Sequence, residues 1–175
     1  NDWVLFLDGD ERIPTELQQE IIAELNKSDK KEAYYFYRKF YFAGKPIHFS
    51  GTQNDKNFRL FRRSKCRYVA DKKVHETLIV KGTTGILKNK LLHYSFDNFE
   101  QFKKKMLYYG LLKGSELADK GKKYSIITHW SKVAFKFIKT YFLKLGFLDG
   151  FDGLKISYLQ SLYVNETYRK LKNAK

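Results

Sequence analysis

The chain has 175 residues, enough for one core of ordinary size with little room for a second. Its formal charge of +15 favours polyanionic partners, nucleic acid or an anionic lipid surface, and residues 101–145 alone hold eleven lysines against Glu116 and Asp119. No stretch approaches the ~18 uncharged apolar residues needed to span a bilayer, and the single cysteine, Cys66, cannot close an internal disulfide, which fits a reducing compartment.

The first element is the apolar run Trp3 to Leu7. With no alternation it reads as a strand buried on both faces, the habit of a parallel α/β sheet. It ends in Asp8-Gly9-Asp10-Glu11. Carboxylates this close repel one another, so a positive charge is expected between them, and a hard divalent cation shared with a substrate phosphate is one answer. The tip of a parallel strand is also where open α/β sheets bind ligands. A solvated acidic turn, with Asp10 or Glu11 helping to cap the next helix, is the plainer alternative. The chain starts at Asn1 and enters this strand at once, so the expectation is the C-terminal portion of a longer protein whose upstream part supplies more of the sheet.

Pro14 and Thr15 open a helix, with Thr15 as N-cap and Gln18 completing a capping box. Leu17, Ile21, Ile22 and Leu25 form its apolar stripe. Ala33 to Ala43 reads as an aromatic strand closed by a turn at Gly44-Lys45-Pro46. Further strands are expected at Asn57–Arg63, Arg67–Val69, Val74–Val80 and Ile86–Tyr94, with a turn at Gly82–Gly85. From about Asp97 the period becomes helical. One helix carries Phe99, Phe102, Met106, Tyr109 and Leu112 and breaks at Gly121. A second runs from Tyr124 to Leu145, and a third from Leu154 to about Lys172. The division falls near residue 96: mixed α/β over 1–96, helical over 97–175.

Three clusters besides the acidic turn could carry chemistry. Lys72-Lys73-Val74-His75-Glu76 puts His75 and Glu76 on opposite faces of a strand, and a Glu beside a sugar hydroxyl could act as general base; a surface strand of alternating charge is the competing account. Arg59, Arg62 and Arg63 follow, with Arg59 and Arg63 on one face of a strand and suited to phosphate oxygens, or simply solvated. His93, at a strand end, reads as a structural histidine. The helix at 124–145 has a broad aromatic face and lysines 132, 136, 139 and 144 mostly opposite. That describes an interfacial helix on an anionic membrane, or equally one packed on the core with a solvated lysine face.

Trp3 to Pro14, Arg59-Leu-Phe-Arg-Arg63, Val74-His-Glu76, Leu91-Leu-His-Tyr-Ser95 and Gly146-Phe-Leu-Asp-Gly150 occur in this order. Together they resemble family 2 glycosyltransferases of the bacterial lipopolysaccharide-core type, including β-1,4-glucosyltransferases acting on core heptose. The resemblance implies an α/β fold: the C-terminal part of a Rossmann-like GT-A domain, followed by a helical, basic, membrane-surface tail. Its nucleotide-binding half would lie upstream, and the 175-residue piece alone would be inactive. Asp8 and Asp10 match the metal-diphosphate motif, with Gly9 where the family commonly has alanine. Glu76 falls at the catalytic base of an inverting reaction, and His75 and Arg59 would line the acceptor or diphosphate side. The implied cofactors are Mg²⁺ or Mn²⁺ and a nucleotide-sugar donor, most commonly UDP-glucose. The implied acceptor is a saccharide or lipid-linked, at the cytoplasmic face of the cell membrane. The competing class is a basic aromatic protein for single-stranded nucleic acid. No RNP, KH or zinc-knuckle pattern supports it, and the acidic turn would repel such a partner.

Overall fold

A computed structural model describes residues 2–69 and 78–174. The chain divides into two compact units, residues 1–40 with 54–94 and residues 41–53 with 95–175.

In the first unit, β1 (Trp3–Leu5), β2 (Glu11–Arg12), α1 (Thr15–Asn26), β3 (Ala33–Phe42), β4 (Lys45–Ile47), β5 (Lys56–Arg62), β6 (Cys66–Tyr68), β7 (Leu78–Val80), β8 (Thr84–Ile86) and β9 (Leu91–Phe96) follow one another, with β4 and the ends of β3 and β9 belonging to the second. The strand order is β1-β5-β3-β9-β2, with β8 also on β3 and with β6 and β7 paired separately. β1 runs antiparallel to β5, β5 to β3, and β2 to β9, while β8 lies parallel to β3. This corrects the expectation of a parallel sheet opening on a doubly buried strand. β1 holds three residues, and the apolar side chains of Leu5, Phe6 and Leu7 are exposed. An apolar run signals burial but carries no information about the direction of its partner.

β3 alternates as a strand between two apolar layers should. Tyr34 and Phe36 join Leu17 and Ile21 of α1, Leu60, Leu87 and Leu91 in one core cluster, while Ala33 packs with Phe61 and Leu78 in another. The stripe read on α1 is the one buried, except that Ile22 is exposed. Its cap differs: Pro14 occupies the N-cap position and no side chain caps the helix, so Thr15 is the first helical residue. Between β3 and β5 the register slips, Tyr34 facing Leu60 and Tyr35 facing Phe58, which leaves Arg59 as an extra residue in a bulge. The next arginines also part company with Arg59. Arg63 begins a 3₁₀ turn (Arg63–Lys65), so Arg59 and Arg63 do not share a strand face.

The second unit is helical. Asn98 caps α2 (Phe99–Asp119) by accepting the Gln101 N–H, and Ser125 caps α3 (Ile126–Ile138) through the Thr128 N–H. The helix expected at 124–145 is present as α3, which passes into a π turn at Lys139–Leu143 and stops at Leu145, whose φ is 57°. A 3₁₀ turn (Gly146–Asp149) leads into α4 (Gly150–Asn173). Phe102 stacks on Phe96 at 3.8 Å between ring centres and meets Phe42 edge-on at 5.8 Å. α2 and α4 approach closely because Gly110 and Gly114 face α4. A Cβ on Gly114 would stand 2.6 Å from the Thr167 carbonyl oxygen and from Lys170 Cβ. No helix among the described residues is long and apolar enough to cross a membrane.

Gly114→Ala is therefore expected to destabilise the chain by about 1–3 kcal/mol, despite the ~1 kcal/mol that alanine gains over glycine in a free helix. Gly9→Ala, whose Cβ meets nothing within 4 Å, should be close to neutral. Urea denaturation of the two variants checks the contrast.

Candidate functional site

The acidic turn after β1 is held by the protein's own cations. Its backbone closes first: the Glu11 N–H donates to the Asp8 carbonyl at 3.0 Å, and the Asp8 N–H donates back to Glu11 Oε2 at 3.2 Å. The Glu11 side chain is fully buried. Its Oε1 accepts from Arg59 Nη2 at 2.6 Å and from Arg38 Nη1 at 3.3 Å. Arg59 also pairs with Asp8, and Arg38 grips Asp55 with two bonds of 2.9 Å. Burial works to lower the Arg38 pKa, but the Asp55 carboxylate and then Glu11 more than offset this and raise it. The bulge supplies Arg59: Phe58 and Leu60, two positions apart, fall in different core clusters, and the residue between them turns towards the acids. The Phe6 ring lies against its guanidinium, 5.4 Å from ring centre to Cζ.

Asp10 points elsewhere. Its carbonyl accepts the Tyr94 N–H at 2.8 Å, and its Oδ2 lies 3.5 Å from His93 Nε2. Burial, followed by the nearby positive charge of Arg38, lowers the His93 pKa, which favours neutral imidazole beside that carboxylate. Phe40 meets the His93 ring edge-on at 5.8 Å. The Asp8 and Asp10 side chains are 45% and 37% exposed, so both can reach a ligand that the buried Glu11 cannot. No group of three or more His, Cys, Asp or Glu side chains converges as a metal cage among the described residues. Two exposed carboxylates on one turn nonetheless suit a hard cation that completes its shell with water and substrate phosphate.

Of the residues singled out in the sequence, Asp8 and Arg59 meet on this turn, while the Asp10 side chain turns to His93. Arg59 is committed to Glu11 and Asp8 and is itself buried. His75 and Glu76 lie outside the described residues. Sequence reasoning counted Glu11 among the crowded acids without giving it a buried role, did not single out Arg38 and Asp55, and read His93 as structural. A charged residue inside the aromatic run Ala33–Phe42 was the one signal that could have exposed Arg38.

The chain is similar to proteins named as glycosyltransferases. An uncharacterised glycosyltransferase of Rickettsia typhi is 27% identical over 87% of this chain and 56% of its own length. One from Rickettsia felis is 27% identical over 99% of the chain and 67% of the relative. The lipopolysaccharide core biosynthesis glycosyltransferase LpsC of Rhizobium meliloti is 29% identical over 85% of the chain and 53% of the relative. The chain thus spans little more than half the length of most of these relatives. No family profile and no solved structure matches it.

Removing the buried charge should matter most for folding. Glu11→Gln leaves two guanidinium groups short of a counter-charge and is expected to cost on the order of 3–5 kcal/mol. Asp8→Asn, on the exposed side of the same network, should cost about 1 kcal/mol or less. Equilibrium urea unfolding of both variants tests the ranking.

Proposed function

We propose that this chain is the C-terminal part of a GT-A glycosyltransferase that transfers a sugar, with inversion, from a nucleotide-sugar donor to a saccharide or lipid-linked acceptor. Cell-envelope polysaccharide or lipopolysaccharide synthesis is the setting. The observation that carries this reading is similarity along almost the whole chain to proteins named glycosyltransferases, one of them in lipopolysaccharide core biosynthesis. UDP-glucose is the first donor to try.

Asp10, with Asp8 beside it, would hold Mg²⁺ or Mn²⁺. When bound, that ion supplies positive charge to the diphosphate leaving group. The chain's own residues do the rest. Glu11, locked between Arg59 and Arg38, fixes the turn that carries Asp8 and Asp10. Arg59 offsets the charge of Asp8, which lowers the repulsion between the acids. His93 borders Asp10 and helps hold its orientation. Glu76 is the general base: its carboxylate takes the proton of the acceptor hydroxyl as that oxygen attacks the anomeric carbon. The bond to the nucleoside diphosphate breaks on the opposite face, and the diphosphate leaves with the bonding electron pair. No covalent enzyme intermediate forms.

In the full-length protein, Asp10→Ala and Glu76→Gln are each expected to lower transfer from a nucleotide-sugar by about 10²-fold or more, with circular dichroism and thermal midpoint unchanged. EDTA should abolish transfer and Mg²⁺ or Mn²⁺ restore it. Full activity in both folded variants would remove these two assignments; activity indifferent to chelation would remove the metal.

A further inference from the structure

Helix α3 keeps much of its apolar surface outside. On its inward side His129 and, just beyond its end, Thr140 are buried, beside half-buried Val133 and Phe137. The His129 ring stacks on Tyr168 at 5.4 Å, its Nε2 lies 3.1 Å from Asn165 Oδ1, and its Nδ1 lies 3.2 Å from the Tyr124 hydroxyl. These contacts fix the rotation of the helix. Its apolar ridge is consequently left outside, with Ile127, Trp130, Phe135 and Ile138 exposed, Ile127 by 80%. Exposed apolar side chains continue through the π turn and into the start of α4, where Leu143 is 67% and Phe151 70% exposed. A soluble surface scatters single apolar residues; a run of this kind marks a binding face.

Charge identifies the occupant. From Lys120 to Leu145 there are seven lysines and no acidic residue. Lys122, Lys123, Lys132, Lys139 and Lys144 are exposed beside the ridge, and Lys136 is half-buried. Burial first, then the neighbouring Lys144 and Lys139, lower the pKa of Lys136, so these cations already crowd one another. A second copy of the same face would add seven more like charges, which argues against self-association. An anionic headgroup layer offsets the charge, accepts the apolar ridge below it, and suits Trp130 at the boundary.

We propose that the outward face of α3, with the π turn and the first turn of α4, docks on an anionic lipid bilayer and lies in its headgroup boundary without crossing it. The surface belongs to the helical unit and does not rest on the transfer reaction.

Sedimentation of the full chain with vesicles of phosphatidylcholine, alone or mixed with phosphatidylglycerol, tests this. Binding to the anionic vesicles is expected to be at least ~10-fold tighter and to weaken with salt. Ile127→Asp combined with Phe135→Asp should cut it by ~10-fold or more with circular dichroism unchanged. Lys132→Glu with Lys139→Glu, which leaves the ridge intact, should do likewise. Equal binding to neutral vesicles, no binding to either, or anionic binding indifferent to the aspartates would overturn the proposal. So would concentration-dependent dimerisation abolished by the aspartate pair, which would assign the face to a second copy.

Discussion

The buried carboxylate of Glu11 is the constraint around which the first unit is arranged. An ion removed from water is tolerated only when charge and hydrogen bonds replace its hydration. Here two guanidinium groups do so, from Arg59 on β5 and Arg38 on β3, 48 and 27 positions away in sequence. Each arginine then engages a second acid, Asp8 or Asp55, so the network joins the turn after β1 to two strands of the sheet. The main chain cooperates, because the same Glu11 that is clamped by arginine accepts the Asp8 N–H and closes the turn. A flexible acidic loop becomes a fixed platform carrying two exposed carboxylates.

Much of the element pattern was legible because it depends on local composition. The aromatic run at Ala33–Phe42, the stripe of α1 and the change to helix after residue 96 follow from side-chain period alone. Pairing direction was not legible, since it is decided by partners far along the chain. Of the candidate site, the sequence shows three crowded acids and a requirement for nearby positive charge. For Asp8 and Glu11 that charge comes from arginines, and what brings Arg59 there is a one-residue slip between Tyr34 and Tyr35. No local pattern announces such a bulge, nor the 3₁₀ turn that parts Arg63 from Arg59.

The Gly146-Phe-Leu-Asp-Gly150 segment, noted in the sequence as a motif, has a structural explanation. Asp149 accepts the backbone N–H groups of His48 and Phe49 at 2.9 and 3.0 Å and the Ser50 hydroxyl at 3.0 Å, tying two distant segments of the second unit together. Gly153 packs so closely that a Cβ there would land on the Gly146 carbonyl oxygen, and a Cβ on Gly146 would stand 2.7 Å from the Thr140 carbonyl oxygen. The motif therefore secures the corner between the π turn and α4.

That corner also bears on α3 and its exposed ridge. Hydrophobicity alone would turn the ridge of α3 inward, as a helix packed on a core requires. The polar contacts of His129 oppose that rotation, and the Gly146–Gly153 contact fixes the path by which the chain leaves the π turn. Keeping large apolar side chains in water carries a free-energy cost that this unit does not recover internally. The same physics that buries Glu11 among arginines in one unit leaves an unsatisfied apolar face in the other, and a surface both apolar and cationic is matched by a medium with hydrocarbon beneath and negative charge above.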